Sequence, residues 1–238
     1  MNKAASAALL ALTAGLLMAG CMTSGPRNEG QRMTRAEARE QFRRPNPSRV
    51  IAHELAFARA AQEKGQWAAF REYSTSEAVM FVPEPVNAHE WLRRQTEPAE
   101  AVRWQPQQVW SSCDGSFAVT EGAAQHPGGR TGRFVTIWRK MRDGGYRWVL
   151  DRASDGPDRQ PAVEMISSQL PDCGTPAPGR SDAGALAFPA SGQSEDRTLA
   201  WSTTQTSDGR HVTEVFVYLD GAYRSVLDEA TWRGLPGS

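Results

Sequence analysis

Residues 105–151 read QPQQVWSSCDGSFAVTEGAAQHPGGRTGRFVTIWRKMRDGGYRWVLD, and this stretch decides the fold class. Its residues follow a period of two, which is typical of strands with one face towards a core. Asp-Gly, His-Pro-Gly-Gly and Asp-Gly-Gly sequences interrupt the period and predict tight hairpins, so consecutive strands should pair antiparallel. The four predicted strands of this meander are 105–112, 116–125, 132–141 and 146–151.

The residues before the meander have helical rather than strand periodicity. A first helix is predicted from Ser48, which can cap it, to Gly65, which suits its C-terminal end. A short second helix follows, and a brief strand at 79–82 separates it from a third helix that begins at Ala88. The sequence therefore predicts an α+β fold, with three N-terminal helices packed on a curved antiparallel sheet.

The N-terminus reads as an export signal over residues 1–20. The apolar run from Ala4 to Ala19 spans about 24 Å as a helix, which is shorter than the ~30 Å hydrocarbon core of a bilayer. Leu-Met-Ala-Gly-Cys at 17–21 resembles a bacterial lipobox, in which the thiol of Cys21 is acylated. We therefore predict a lipid anchor at Cys21 and a polar tether over 21–47; a plain secretory signal and an uncleaved anchor are the alternatives. The resemblance implies an outer-membrane protein that faces the periplasm.

The charge balance and the motif inventory exclude several functions. Lys plus Arg and Asp plus Glu number 27 each, so we expect no nucleic-acid partner. The four histidines have no metal-ligand spacing, and the chain has no phosphate loop or nucleophile elbow. We therefore expect no metal and no cofactor.

Two cysteines remain if Cys21 carries lipid. Cys113 and Cys173 would lie in an oxidising compartment, where pairs of cysteines commonly form disulfides. Sequence spacing cannot show whether their Cα atoms are close enough for a bridge. A disulfide and two unrelated thiols therefore remain open.

The C-terminal part contains a second series of strands. Residues 154–195 are rich in Pro, Gly, Ser and Asp and read as a linker, whereas alternation returns over 196–232. Sliding 132–153 onto 209–230 without gaps gives 12 identities in 22 positions. We interpret 196–232 as a β-meander that partly repeats 132–153, and we expect it to pack on the preceding domain or to extend its sheet.

Several stretches of the middle region carry a family resemblance by their order and spacing. They include Gly-Gln-Trp-Ala-Ala-Phe at 65–70, VMFVPEPVNA at 79–88 and GYRWVLD at 145–151. In these features residues 49–153 resemble the nuclear transport factor 2-like (NTF2-like) superfamily, in particular its SnoaL-like and ketosteroid-isomerase-like branch of cone-shaped domains. The resemblance implies a cone domain over 48–153, whose cavity serves catalysis, ligand binding or dimerisation in family members.

Candidate site residues follow from the chemistry that such a cavity can perform. A carboxylate facing an apolar cavity beside a Tyr or His can do acid–base work, because burial raises its pKa. The catalytic candidates are Glu121, Asp151, Tyr73 and His89. Alternation places Glu121 on one face with Phe117, but it cannot say whether that face is inside the cavity. The candidate pocket residues, which equally suit core packing, are Trp104, Trp110, Phe117, Trp138 and Trp148.

Two functions from different classes fit this sequence. The first is a membrane-tethered envelope lipoprotein whose NTF2-like domain binds a small apolar ligand or acts in assembly, for example as a homodimer. The second is an isomerase-like enzyme that uses a pocket carboxylate as general base on a hydrophobic ring substrate. We favour the binding module, because the sequence does not identify the acid–base group.

Overall fold

The computed structural model describes Thr34 and residues 44–155, 165–180, 191–207 and 209–229. All of these except Thr34 belong to one compact unit, residues 35–238. The export signal, Cys21, most of the tether and the last residues of the predicted second meander lie outside the described residues. None of the helices within the described ranges combines the length and apolar character needed to span a bilayer.

Three helices lie on one side of the main sheet. They are α1 Pro47–Lys64, α2 Gln66–Tyr73 and α3 Ala88–Leu92. The cap of α1 is Asn46 and not Ser48 as predicted, because the side chain of Asn46 accepts from the Arg49 N–H and Pro47 occupies the first helical position. The first N–H groups of α2 are satisfied by the carboxylate of Glu97.

The strands of the described residues form two sheets. The first sheet has the order β2-β1-β6-β5-β4-β3-β7, and the second has the order β11-β10-β9-β8. The strands of the first sheet are β1 Ser74–Phe81, β2 Pro85–Asn87, β3 Arg103–Ser111, β4 Phe117–Gln125, β5 Thr131–Lys140, β6 Tyr146–Asp155 and β7 Ser167–Gln169. Those of the second are β8 Ser191–Gln193, β9 Leu199–Gln205, β10 His211–Leu219 and β11 Ala222–Asp228.

The fold class is α+β, as predicted, and strands β3 to β6 form an antiparallel meander. The prediction of a wholly antiparallel sheet is wrong, because β1 pairs parallel with β6 and β7 pairs parallel with β3. No hairpin joins the strands of either pair, so local turn chemistry does not set their direction. The main sheet is therefore mixed.

Residues 154–195, which read as a linker, contain β7 and β8. Both strands have three residues, too few to give a visible alternation in the sequence. A disulfide between Cys113 and Cys173 fastens the residues after β7 to the β3–β4 turn. Of the two alternatives left open by the sequence, a disulfide or two unrelated thiols, the structure has the disulfide.

The main sheet is buried on both of its faces. On the helix side, Val50, Phe57, Ala69, Trp138 and Trp148 belong to one apolar core. A second core joins the opposite face to the second sheet and includes Val119, Val135, Ile137 and Leu150 from the first sheet with Leu199, Trp201, Val215, Val217 and Leu227 from the second. The unit therefore has three layers: helices, main sheet and second sheet.

Two turns with the same local structure fasten the sheets to each other. In 112–117 and 194–199, a serine hydroxyl donates to the aspartate two residues later, at 2.6 Å in each turn. The N–H of Asp114 donates to Asp196 Oδ2 at 2.8 Å, and the N–H of Asp196 donates to Asp114 Oδ2 at 3.0 Å. The turns before β4 and β9 are thereby held together by reciprocal hydrogen bonds.

Candidate functional site

A cavity of about 250 Å³ lies between α2 and the helix-side face of the main sheet. Its wall is mostly apolar and contains the aromatic residues Trp67, Phe70, Trp104 and Phe134, whereas Phe81 borders it but turns its ring towards His211 of the second sheet. Gln66, His126 and Asp151 bring polar groups to the same wall. An apolar cavity with a few polar groups is the usual form of a small-molecule site.

Asp151 supplies the buried carboxyl of this cavity. It lies on β6 opposite Thr136 of β5, whose hydroxyl donates to Asp151 Oδ2 at 2.9 Å. Burial raises the pKa of Asp151 to about 7; the Thr136 hydrogen bond opposes this shift, and the charge of Glu54 adds to it. A carboxyl with this pKa can both accept and donate a proton near neutral pH.

Glu54 is a second buried carboxyl, and the sequence analysis missed it. It projects from α1 and is fully buried. Trp104 Nε1 donates to Glu54 Oε1 at 2.7 Å, whereas Thr120 Oγ1 and Trp138 Nε1 donate to Oε2 at 2.5 and 3.0 Å. Burial raises the pKa of Glu54, and these hydrogen bonds oppose the shift. The available signal was its place on the apolar stripe of α1, between Val50 and Phe57.

The two tryptophans of the cavity wall use their indole N–H groups within the protein. Trp104 Nε1 donates to Glu54, and Trp67 Nε1 donates to the carbonyl of Thr96 at 3.1 Å. An indole has no other hydrogen-bonding group. These side chains therefore offer ring surface to a ligand and no hydrogen-bond donor.

Glu121 lies on the opposite face of the main sheet from the cavity. It forms an ion pair with Arg133, and its neighbour on that face, Val119, belongs to the core between the sheets. Burial raises the pKa of Glu121, although Arg133 opposes the shift. The structure therefore places this candidate away from Asp151.

Tyr73 and His89 also lie outside the cavity wall. Tyr73 stacks on Phe57 with ring centroids 5.1 Å apart, and burial raises the pKa of its hydroxyl. His89 Nε2 lies 2.9 Å from Ser74 Oγ, which ties α3 to the start of β1. The structure does not bring either residue to Asp151.

The five candidate pocket aromatics separate into three groups. Trp104 lines the cavity, whereas Trp138 and Trp148 are fully buried in the core on the helix side. Phe117 packs on Trp201 of the second sheet, with ring centroids 4.8 Å apart. Trp110 belongs to the core between the sheets and donates to Gln169 Oε1 at 3.2 Å.

Over the described ranges, no group of three or more His, Cys, Asp or Glu side chains could hold a metal ion.

Solved structures of NTF2-like and cystatin-like proteins are similar to about half of this chain. The chain is similar to a candidate ketosteroid isomerase from Parabacteroides distasonis, at 14% identity over 48% of this chain and 96% of that one, with a TM-score of 0.37. It is similar to an NTF2-like superfamily protein from Salmonella enterica serovar Typhimurium, at 13% identity, 50% and 94% coverage and a TM-score of 0.37. It is also similar to a protein with a cystatin-like fold from Methylobium petroleophilum, at 12% identity, 52% and 86% coverage and a TM-score of 0.35. No protein-family profile and no curated protein matches the sequence.

Proposed function

We propose that this protein binds a small apolar ligand in the cavity beside Asp151. The observation that carries the proposal is the combination of four aromatic residues with one buried carboxyl in a cavity of about 250 Å³. Burial of an apolar ligand against these rings supplies the affinity, at about 25 cal/mol per Å² of apolar surface removed from water. Asp151 orients a polar group of the ligand.

A cavity-filling substitution tests this binding function. Ala124 lines the cavity and is buried, so Ala124→Phe should occupy the space of the ligand. Ligand-observed NMR with a library of small aromatic and alicyclic fragments should detect binding to the wild type and its loss in this variant. Ala52→Phe on the exposed side of α1 is the matched control and should keep binding. Equal fragment binding by both variants would contradict the proposal.

We further propose that Cys21 carries a lipid that holds this domain on the periplasmic side of the outer membrane. The lipobox-like sequence at 17–21 supports this assignment. Two or more acyl chains are sufficient for stable anchoring. Cys21→Ser should move the protein from the membrane fraction to the soluble fraction, and metabolic labelling with a fatty acid should disappear with it. Labelling that persists in Cys21→Ser would contradict the anchor.

A second candidate function is proton transfer by Asp151, which its pKa of about 7 favours. The ionised carboxylate would remove a proton from the carbon beside a ring ketone and return it elsewhere on the same substrate, as an isomerase-like general base does. The apolar wall would hold the ring and exclude water.

Deuterium exchange distinguishes catalysis from binding alone. A cyclic ketone incubated with the protein in D₂O should exchange its α-protons faster than in buffer, as followed by proton NMR. Asp151→Asn should abolish the acceleration, whereas Asp228→Asn, the equivalent position in the second sheet, should retain it. An exchange rate equal to that of buffer would leave the protein as a binding module.

A further inference from the structure

The chemistry of the cavity wall favours one class of ligand. Three of its rings form a continuous wall, because the Trp67 and Phe70 centroids are 5.6 Å apart and those of Phe70 and Trp104 are 5.9 Å apart. Their interplanar angles of 79° and 72° are those of edge-to-face contacts. The faces of aromatic rings carry negative charge and attract cations.

Two polar features of the wall, the indole groups and Asp151, also favour a cation. Both indole N–H groups are used by the protein, and the described lining residues include no Lys or Arg. Asp151 adds a buried carboxyl. Behind Trp104, a carboxyl oxygen of Glu54 accepts the indole hydrogen bond, and donation of this hydrogen bond shifts electron density into the ring, so that its face becomes more negative. Asp151 and the electron-rich ring faces therefore favour a cation over an anion at this wall.

We propose that the ligand of this cavity is a small organic cation, a tertiary or quaternary ammonium group that lies against the rings with Asp151 as its counter-ion. This inference rests on the proposed binding function and names the class of ligand. A methylated ammonium fits because it presents apolar methyl groups to the rings and needs no array of hydrogen-bond acceptors. The volume of about 250 Å³ suits a trimethylammonium group with a short substituent.

Cation binding is coupled to a proton on Asp151. The groups that act on this carboxyl are the Thr136 hydroxyl and the charge of Glu54, and His126 lies on the same cavity wall. Because burial raises the pKa of Asp151 to about 7, part of the protein carries this proton near neutral pH. A bound cation stabilises the carboxylate, so binding should release protons in this range, and the affinity for the cation should rise as the pH rises.

Isothermal titration calorimetry of the full chain tests the proposal with two probes of the same shape. Choline carries the charge, and 3,3-dimethylbutan-1-ol replaces its nitrogen by carbon. We expect choline to bind at least tenfold more tightly to the wild type, with proton release measured from the binding heat in buffers of different ionisation enthalpy. Asp151→Asn should remove most of this preference and the proton release, whereas Asp228→Asn should keep both.

The outcomes separate this inference from the proposed function. Equal or tighter binding of the neutral alcohol would overturn the cation and leave an apolar ligand site standing. Failure of both probes would also overturn the cation, while the fragment screen decides independently whether the cavity binds ligands. Choline binding to the wild type whose affinity stays the same from acidic to alkaline pH would overturn Asp151 as counter-ion, even if the Asn variant failed to fold.

Discussion

The β5–β6 and β10–β11 hairpins carry nearly the same sequence in different surroundings. Both contain Asp-Gly-x-Tyr-Arg-x-Val-Leu-Asp, at 143–151 and 220–228. In both, the strand pairing skips one equivalent residue, Val149 in the first hairpin and Val226 in the second. The first hairpin contributes Asp151 to the cavity beside the described helices, which pack on the first sheet, whereas the second hairpin belongs to the second sheet.

A difference of one residue in the turns changes what lies opposite the final aspartate. The Met141 N–H bonds to the Gly145 carbonyl and encloses three residues, whereas Leu219 pairs with Ala222 around only two. Side chains alternate between the two faces along a strand. A shift of one residue in the pairing therefore brings a residue with the other orientation opposite the final aspartate.

The partners of the two aspartates show the effect of this shift. Asp151 lies opposite Thr136 and accepts its hydrogen bond, whereas Asp228 lies opposite Glu214. Thr213, which aligns with Thr136 in the gapless comparison, faces Thr203 instead. Repetition of a sequence motif thus does not repeat its chemistry unless the turn also keeps its length.

The largest expected effect comes from the disulfide at Cys113. In the equivalent turn before β9, the corresponding residue is Glu195, which cannot form such a bridge. Cys113→Ala should lower the free energy of unfolding by about 4 kcal/mol, because the bridge closes a loop with a sequence separation of 60. Urea unfolding measures this loss, and a reductant should produce a similar loss in the wild type and none in the variant. A variant as stable as the oxidised wild type would show that the bridge does not contribute.

The next effect is expected at Leu150 and Leu227. These residues hold the same position in the repeated motif, and both belong to the core between the sheets. Each substitution to Ala should lower the free energy of unfolding by about 3 kcal/mol, because it leaves a cavity in that core. Urea unfolding with fluorescence detection measures both, and Leu55→Ala at a partly exposed site of α1 should cost much less. If only Leu150→Ala is destabilising, the second sheet does not unfold together with the first.

The smallest effect, when counted per pH unit, is the pH dependence of stability. Because the folded-state pKa of Asp151 is raised from 3.8 to about 7, its contribution is fully present below pH 3.8 and is lost as the pH rises through about 7. Within this window Asp151 should lower the free energy of unfolding by up to about 1.4 kcal/mol per pH unit. Asp151→Asn should flatten the dependence, as measured by urea unfolding at several pH values.

Two threonine variants test whether the pH dependence of stability comes from Asp151. Thr136→Val removes the hydrogen bond that opposes the raised pKa, so the window should extend to higher pH. Thr213→Val is the matched control, because Thr213 lies in the second sheet against Thr203. An equal change in the pH profiles of both variants would contradict the assignment to Asp151.

The sequence was sufficient where local patterns determine structure. Period-two segments and Asp-Gly turns predicted the antiparallel pairing of β3 to β6. The parallel pairing of β1 with β6 depends on contacts between distant segments, and no local turn sequence indicates it. The parallel pairing of β7 with β3 is also long-range, whereas β8 is joined to β9 by the 194–199 turn but is too short to show a pattern of its own.

The site was less predictable because alternation gives relative faces only. Glu121 and Asp151 were equal candidates, and the structure separates them to opposite faces of one sheet. Strict alternation would put Asp151 on the face opposite Trp148, but the extra residue Val149 returns it to the helix side. Glu54 was missed because a charged residue on a helix is ordinarily assumed to face water.

The second sheet also restricts how this protein meets another one. It covers the face of the main sheet opposite the helices, so a second copy could dock there only after displacing part of its own chain. We therefore expect any homodimer to form through a strand edge or through the outer side of the second sheet. The C-terminal strands therefore occupy the place that a second subunit could take on this face, and the helix side remains available for the ligand.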